Sequence, residues 1–101
     1  MLENIKREDF EKFLKTKFRV NDDFSNFVEL ELVEVVNEMN DVDDGYERFS
    51  LFFHLPGNQL IPQATYKMEH EQLGQFELFI VPTGRVPDGY SYQATFSRRK
   101  V

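Results

Sequence analysis

His54 and His70 are the only histidines in this chain, and it contains no cysteine. Acid–base or nucleophilic chemistry near neutral pH would have to run through these two imidazoles and nearby carboxylates. Ser50 shares a strand face with His54 but lies four residues away, too far along one strand to touch it. A triad needs a nucleophile, a histidine and an orienting carboxylate that converge in space, and no local spacing supplies one. Neither histidine stands in an HxxxH or HExxH metal-ligand pattern. His54 alternates with Phe53 and Leu55, which predicts an exposed imidazole.

Carboxylates are the other candidates. Glu29 and Glu31 share one strand face about 7 Å apart, a pairing that can do acid–base work but also marks the solvent side of an amphipathic strand. The run Asp41-Val42-Asp43-Asp44-Gly45 invites a calcium reading. Setting Gly45 at position six of an EF-hand loop puts Asn40, Val42 and Asp44 at the early ligand positions and Leu51 at position twelve. Val42 and Leu51 cannot ligate, so the loop reads as turn chemistry. No GxGxxG or GxxxxGK[ST] phosphate loop occurs. The residues predict no catalytic set, no metal site and no cofactor.

Aromatic residues offer binding rather than chemistry. Phe52 and Phe79 fall on the outer faces of two predicted strands, and Val81 follows Phe79 at i+2. A cluster of Phe52, Phe79 and Val81 would form a partner surface, unless a helix covers it. Tyr66, Tyr90 and Tyr92 could line the mouth of a barrel and admit a small ligand, although small barrels are usually filled by side chains.

These residues need elements to place them. Gln63 to Pro82 reads as a hairpin: Ala64, Tyr66 and Met68 alternate before a turn at Glu71 to Gly74, and Phe76, Leu78 and Ile80 alternate after it. Residues 7–15 predict a short helix with Phe10, Phe13 and Leu14 on one stripe, packed as a plug at an open end of the sheet. Lys17 to Asn21 predicts a strand with Phe18 and Val20 inward, followed by a turn at Asn21-Asp22-Asp23. In Phe27 to Val36, Val28, Leu30 and Leu32 face one way. The phase slips at Val33, predicting a β-bulge near Leu32-Val33. Tyr46 to Leu55 turns Phe49, Leu51, Phe53 and Leu55 inward. Pro82 to Gly89 reads as a loop, and Tyr90 to Phe96 as the last strand. Six short strands and one N-terminal helix, without βαβ alternation, predict a mainly β fold. The expected form is a small antiparallel barrel or sandwich, preferably a meander-like barrel, occupying residues 1–101 as a single domain.

Bulk properties limit the partners. A net charge of −6 argues against nucleic acid and against anionic membrane surfaces. The local exception, Arg98-Arg99-Lys100, reads as a solubilising frayed end, with a docking tail as the alternative. No apolar run approaches the ~18 residues of a membrane span, and no signal-peptide core opens the chain, so a soluble cytoplasmic protein is expected.

The order of elements resembles an uncharacterised family of small bacterial all-β domains of unknown function. The resemblance covers nearly the whole chain. It is carried by Glu8-Asp9-Phe10, Leu30 to Val35, Phe49-Ser50-Leu51, His70 with Leu73-Gly74, Leu78-Phe79, Val81-Pro82, and Tyr92 with Ala94 and Phe96. The family's middle motif, Leu-Pro-Gln-Gly-Thr-Tyr, reads Ile61-Pro62-Gln63-Ala64-Thr65-Tyr66 here. A left-handed backbone at Ala64 would therefore be strained. The resemblance implies no catalytic residue. It implies an assembly or accessory role beside phage-tail-like proteins. Three functions follow as expectations: a non-enzymatic protein-interaction or assembly module, a small-ligand-binding barrel, or an enzyme built on His54 or His70. A protein partner is expected for the first, and homo-oligomerisation is left open.

Overall fold

The computed structural model describes residues 5–21, 27–38 and 45–99. Asp22 and Asp23, the acidic run Asp41 to Asp44, and Lys100 lie outside them. One helix, α1 (Arg7–Lys12), precedes six strands. These are β1 (Lys17–Asn21), β2 (Phe27–Asn37), β3 (Tyr46–Pro56), β4 (Ala64–His70), β5 (Gly74–Val86) and β6 (Gly89–Arg99). All pairings are antiparallel, in the order β1-β2-β3-β6-β5-β4, and β1 pairs with β4 to close the ring. The topology is two three-stranded meanders joined edge to edge rather than one continuous meander. The β3–β4 connection crosses one end of the barrel, which sets β4 beside β1 and β6 beside β3.

Alternation explains the interior. Phe18, Val20, Leu30, Leu32, Phe49, Leu51, Phe53, Met68, Ile80 and Tyr92 are all fully or almost fully buried. The register of β2 on β3 shifts between Leu32 and Glu34, so Val33 is the extra residue. The bulge turns Val35 back toward Leu51 and leaves Val33 exposed. Ala64 takes an ordinary backbone conformation at the start of β4; among the described non-glycine residues only Lys15 has a positive φ, of 69°.

Three sequence expectations need correction. Helix α1 stops at Lys12 instead of Lys15. Lys15 donates its N–H to the Leu32 carbonyl at 2.7 Å, and the Thr16 carbonyl accepts from Leu32 N–H at 3.1 Å, so these groups bond to β2 instead of continuing the helix. Leu14 consequently lies exposed, outside the buried stripe. The stretch from Pro82 is strand, not loop: β5 runs on to Val86, and only Pro87-Asp88 turn. A register shift between Pro82 and Gly84 accommodates the proline, which a regular ladder would reject. A Cβ at Gly89, just past that turn, would lie 2.0 Å from the Leu55 carbonyl oxygen, so only glycine permits this approach. Finally, Arg98 is not part of a frayed end. Its guanidinium lies 5.1 Å from the Phe96 ring centroid and 5.4 Å from that of Phe49, and its Nε donates to Glu47 at 3.0 Å. It also donates to the Ile5 carbonyl.

The helix plugs the barrel, as expected. Phe10 is fully buried and meets the rings of Phe18, Phe49, Phe76 and Phe96 at centroid distances of 5.8 to 6.5 Å. Truncating a ring so enclosed costs both transfer energy and a cavity. Phe10→Ala should lower the unfolding free energy by about 3–5 kcal/mol, read from the urea midpoint, whereas Leu14→Ala, in the turn after the helix, should change it by less than about 1 kcal/mol.

Candidate functional site

The two histidines are held apart by different partners. His54 is half-buried instead of exposed, because its Nε2 lies 3.1 Å from Asp88 Oδ1 at the tip of the β5–β6 turn. Ser50 is buried and donates to Glu38; it also accepts from the Gln93 amide at 3.0 Å. Phe52 stands between Ser50 and His54 on the outer face of β3, so the two do not form a catalytic pair.

His70 is buried at the helix end of the barrel. Its Nδ1 accepts the backbone N–H groups of Gln72 and Leu73, at 3.1 and 3.2 Å. An acceptor nitrogen carries no proton, so the proton of the neutral ring sits on Nε2. That nitrogen donates to Thr16 Oγ1 at 2.9 Å, and Thr16 donates to the Phe13 carbonyl at 2.5 Å. The ring packs on Phe18 and Phe13, with centroids 4.5 and 4.8 Å away. His70 therefore ties the β4–β5 turn to the α1–β1 junction. Gly74, with φ of 85°, supplies the left-handed residue after that turn.

At the opposite end, the three tyrosines converge beneath the β3–β4 connection. Tyr92 is fully buried; its hydroxyl accepts from Ile61 N–H at 2.8 Å and donates to the Ile61 carbonyl at 3.2 Å. Tyr66 donates to the Pro62 carbonyl at 2.5 Å, and Tyr90 is half-buried. Burial pushes the Tyr92 phenol above its ordinary value, against the Ile61 hydrogen bond, with Tyr66 and Tyr90 adding to the rise. The tyrosines thus anchor the loop that covers this end.

The outer surface divides by charge. Across β2, β1, β4 and β5 the cross-strand partners alternate in sign: Glu31 with Lys17, Glu29 with Arg19, Arg19 with Glu69, and Lys67 with Glu77. Glu29 and Glu31 are thus the charged face of a strand, each opposite a cation. An open cleft of about 480 Å³ lies here, lined by Lys17, Arg19, Glu29, Glu69, His70 and Glu71. Among the described residues no group of three or more His, Cys, Asp or Glu could hold a metal ion.

The β3–β6–β5 side is different. The outer residues Ser91, Gln93 and Thr95 of β6 pair with His54, Phe52 and Ser50 of β3. Gln93 pairs on its other side with Val81 of β5. Phe52, Gln93 and Val81 therefore stand in one row across three strands, and Phe79 is two residues from Val81 on the same face. Phe79 is 49% exposed, while Phe52 and Val81 are half-buried. The helix does not cover them, because it sits in the barrel end. Charged groups surround it: Glu34 beside Phe52, Glu38 on Ser50, Glu77 two residues from Phe79, Arg48 beside Ser97, and Asp88 on His54. The sequence pattern found the two phenylalanines and the valine. It missed Gln93 and Ser50, whose place between them depends on β6 lying between β3 and β5.

The fold and this face define a small all-β barrel domain with one charge-poor sheet surface. The chain belongs to the family described as domain of unknown function DUF6916, whose model matches residues 5–96. No curated protein and no solved structure matches it. His70, Leu73 and Gly74, among the family-like positions, are the residues that build the β4–β5 turn. Among the described residues no helix is long and apolar enough to cross a membrane.

Burial holds the His70 imidazole below its ordinary value of 6.5, with the Glu71 carboxylate pulling the other way. Glu69, Glu29, Lys17 and Arg19 line the same cleft. As pH falls, the unfolded chain binds this proton first. The contribution of His70 is therefore complete above about pH 6.5 and is lost as the solution is acidified below it. The melting temperature should drop more steeply between about pH 7 and 5 for the wild type than for His70→Gln; parallel slopes would refute the assignment. Separately, Tyr92→Phe strips a buried N–H and carbonyl of their partner and should cost about 1–3 kcal/mol in a urea titration.

Proposed function

We propose that this protein is a non-enzymatic protein-interaction or assembly module that works through its β3–β6–β5 face. The observation that carries this reading is the row of uncharged residues Phe52–Gln93–Val81 with exposed Phe79 beside it, bordered by the carboxylates of Glu34 and Glu38. Interface cores are enriched in aromatic residues and depleted of charge, with polar groups at the rim. The Gln93–Ser50–Glu38 hydrogen-bond chain supports this reading, because it holds the central amide in one geometry before any partner arrives. The described strands close into a ring at β1–β4, and the outward side chains of this face are what a partner would meet.

The setting we infer is the cytoplasm, with the module accessory to a phage-tail-like structure; the family resemblance and the lack of cysteine support that placement. A small-ligand role at Tyr66, Tyr90 and Tyr92 is less well served, since Ile61 occupies both hydrogen-bonding functions of Tyr92.

The double variant Phe52→Asp, Phe79→Asp should retain the wild-type circular dichroism spectrum and melting temperature within a few degrees. It should lose at least about tenfold of any stoichiometric partner in affinity capture with quantitative mass spectrometry, as removal of interface aromatics does. Equal recovery with both proteins would show that this face is not the binding surface.

A further inference from the structure

We infer that His70 is a pH-operated latch on the β4–β5 turn: a proton taken up on Nδ1 releases the turn residues 71–73 from the ring while the rest of the barrel stays closed. The latch is independent of the interaction reading above and lies on the charged side of the barrel.

The hydrogen bonds around the ring leave one place for a second proton. Thr16 gives its single hydroxyl proton to the Phe13 carbonyl, so its oxygen accepts from His70 Nε2. That fixes the proton of the neutral ring on Nε2 from one side. The N–H groups of Gln72 and Leu73, both aimed at Nδ1, fix it from the other. On acidification only Nδ1 can be protonated. The new N–H then meets two N–H groups, donor against donor, and both bonds to the turn are lost. The bond to Thr16 survives, because an imidazolium still donates from Nε2. Protonation therefore frees one of the two segments that this ring joins and keeps the other.

The surroundings of the ring favour two discrete states. Thr16, Phe13 and Phe18 touch it from the α1–β1 junction and β1, and none of them is charged. The charged groups beside it line the cleft: Lys17 and Arg19 of β1, Glu29 of β2, Glu69 of β4 and Glu71 of the turn. Arg19 is opposite both Glu29 and Glu69 in the strand register. Glu71 rides on the segment that is released, and its carboxylate attracts the charged ring. Gly74, with φ of 85°, supplies conformational freedom where the turn enters β5. Leu73 packs against the core and holds the turn closed while the ring is neutral.

Hydrogen exchange followed by NMR on the isotope-labelled protein tests the latch. An opening that admits the proton becomes more frequent by up to about tenfold for each pH unit below about 6.5, the ordinary value for the ring. Protection factors at the Gln72 and Leu73 amides, corrected for intrinsic exchange, should therefore fall about tenfold between about pH 7.5 and 5.5. Those of the β3–β6 ladder should hold within about twofold. The imidazole nitrogen shifts should show the proton on Nε2 at the upper pH. In His70→Gln the side-chain oxygen still accepts N–H groups but does not titrate, so protection in the turn should be constant over this range. Constant protection at Gln72 and Leu73 in the wild type overturns the latch. A neutral ring protonated on Nδ1 does so too, as does the same fall in His70→Gln. An equal fall throughout the β3–β6 ladder also overturns it, because the barrel would then open as a whole; the pH dependence of the melting temperature would still stand.

Discussion

Six strands closed into a ring enclose a bore that water must not enter, and in this chain a helix of six residues stoppers one end of it. Phe10 is the contact on which the arrangement depends. It touches rings from β1, β3, β5 and β6 at once, so a single side chain joins both three-stranded meanders. A helix this short has little stability of its own, and it exists because that ring is buried. The stacked pair Phe49 and Phe96, 4.5 Å apart and nearly parallel, forms the floor beneath it. Arg98 lies over both rings and reaches back to the Ile5 carbonyl, fastening the segment that leads into the helix.

The polar groups inside the barrel do structural work at its two ends. His70 joins the β4–β5 turn to the start of β1, and Tyr92 holds the β3–β4 connection over the other opening. Both are the sort of residue that suggests chemistry when read alone. Each has its polar atoms taken up by backbone or threonine partners, which makes them fasteners. With the interior filled and both ends closed, the surface is what remains for recognition. That surface is asymmetric, because β1, β2 and β4 carry the alternating charges while β6 carries serine, glutamine and threonine outward.

Much of this was legible in the chain itself. Strict alternation in Tyr46 to Leu55 and around the Gly74 turn identified the inward residues of β3, β4 and β5, since side chains on a strand must alternate faces. The phase slip at Val33 announced the bulge. Phe52, Phe79 and Val81 were visible as outward apolar residues for the same reason. The end of α1 and the extent of β5 were not legible. Lys15 is forced out of the helix by pairing with Leu32, and Pro82 is admitted to a strand by a register shift, both of which depend on a distant partner.

Local pattern, then, determined the class of fold, the inward and outward residues of each strand and the apolar candidates on the outer face, because these depend on neighbours within a few residues. Tertiary structure alone decided which strands adjoin. The pairing of β3 with β6 and of β1 with β4 placed Gln93 between Phe52 and Val81, His70 against Thr16, and Arg98 against Ile5. Except for Val81 and Gln93, which share a hairpin, those partners lie dozens of residues apart along the chain. Side-chain periodicity is a property of one strand, whereas adjacency is set by how the whole ring closes around its buried phenylalanines.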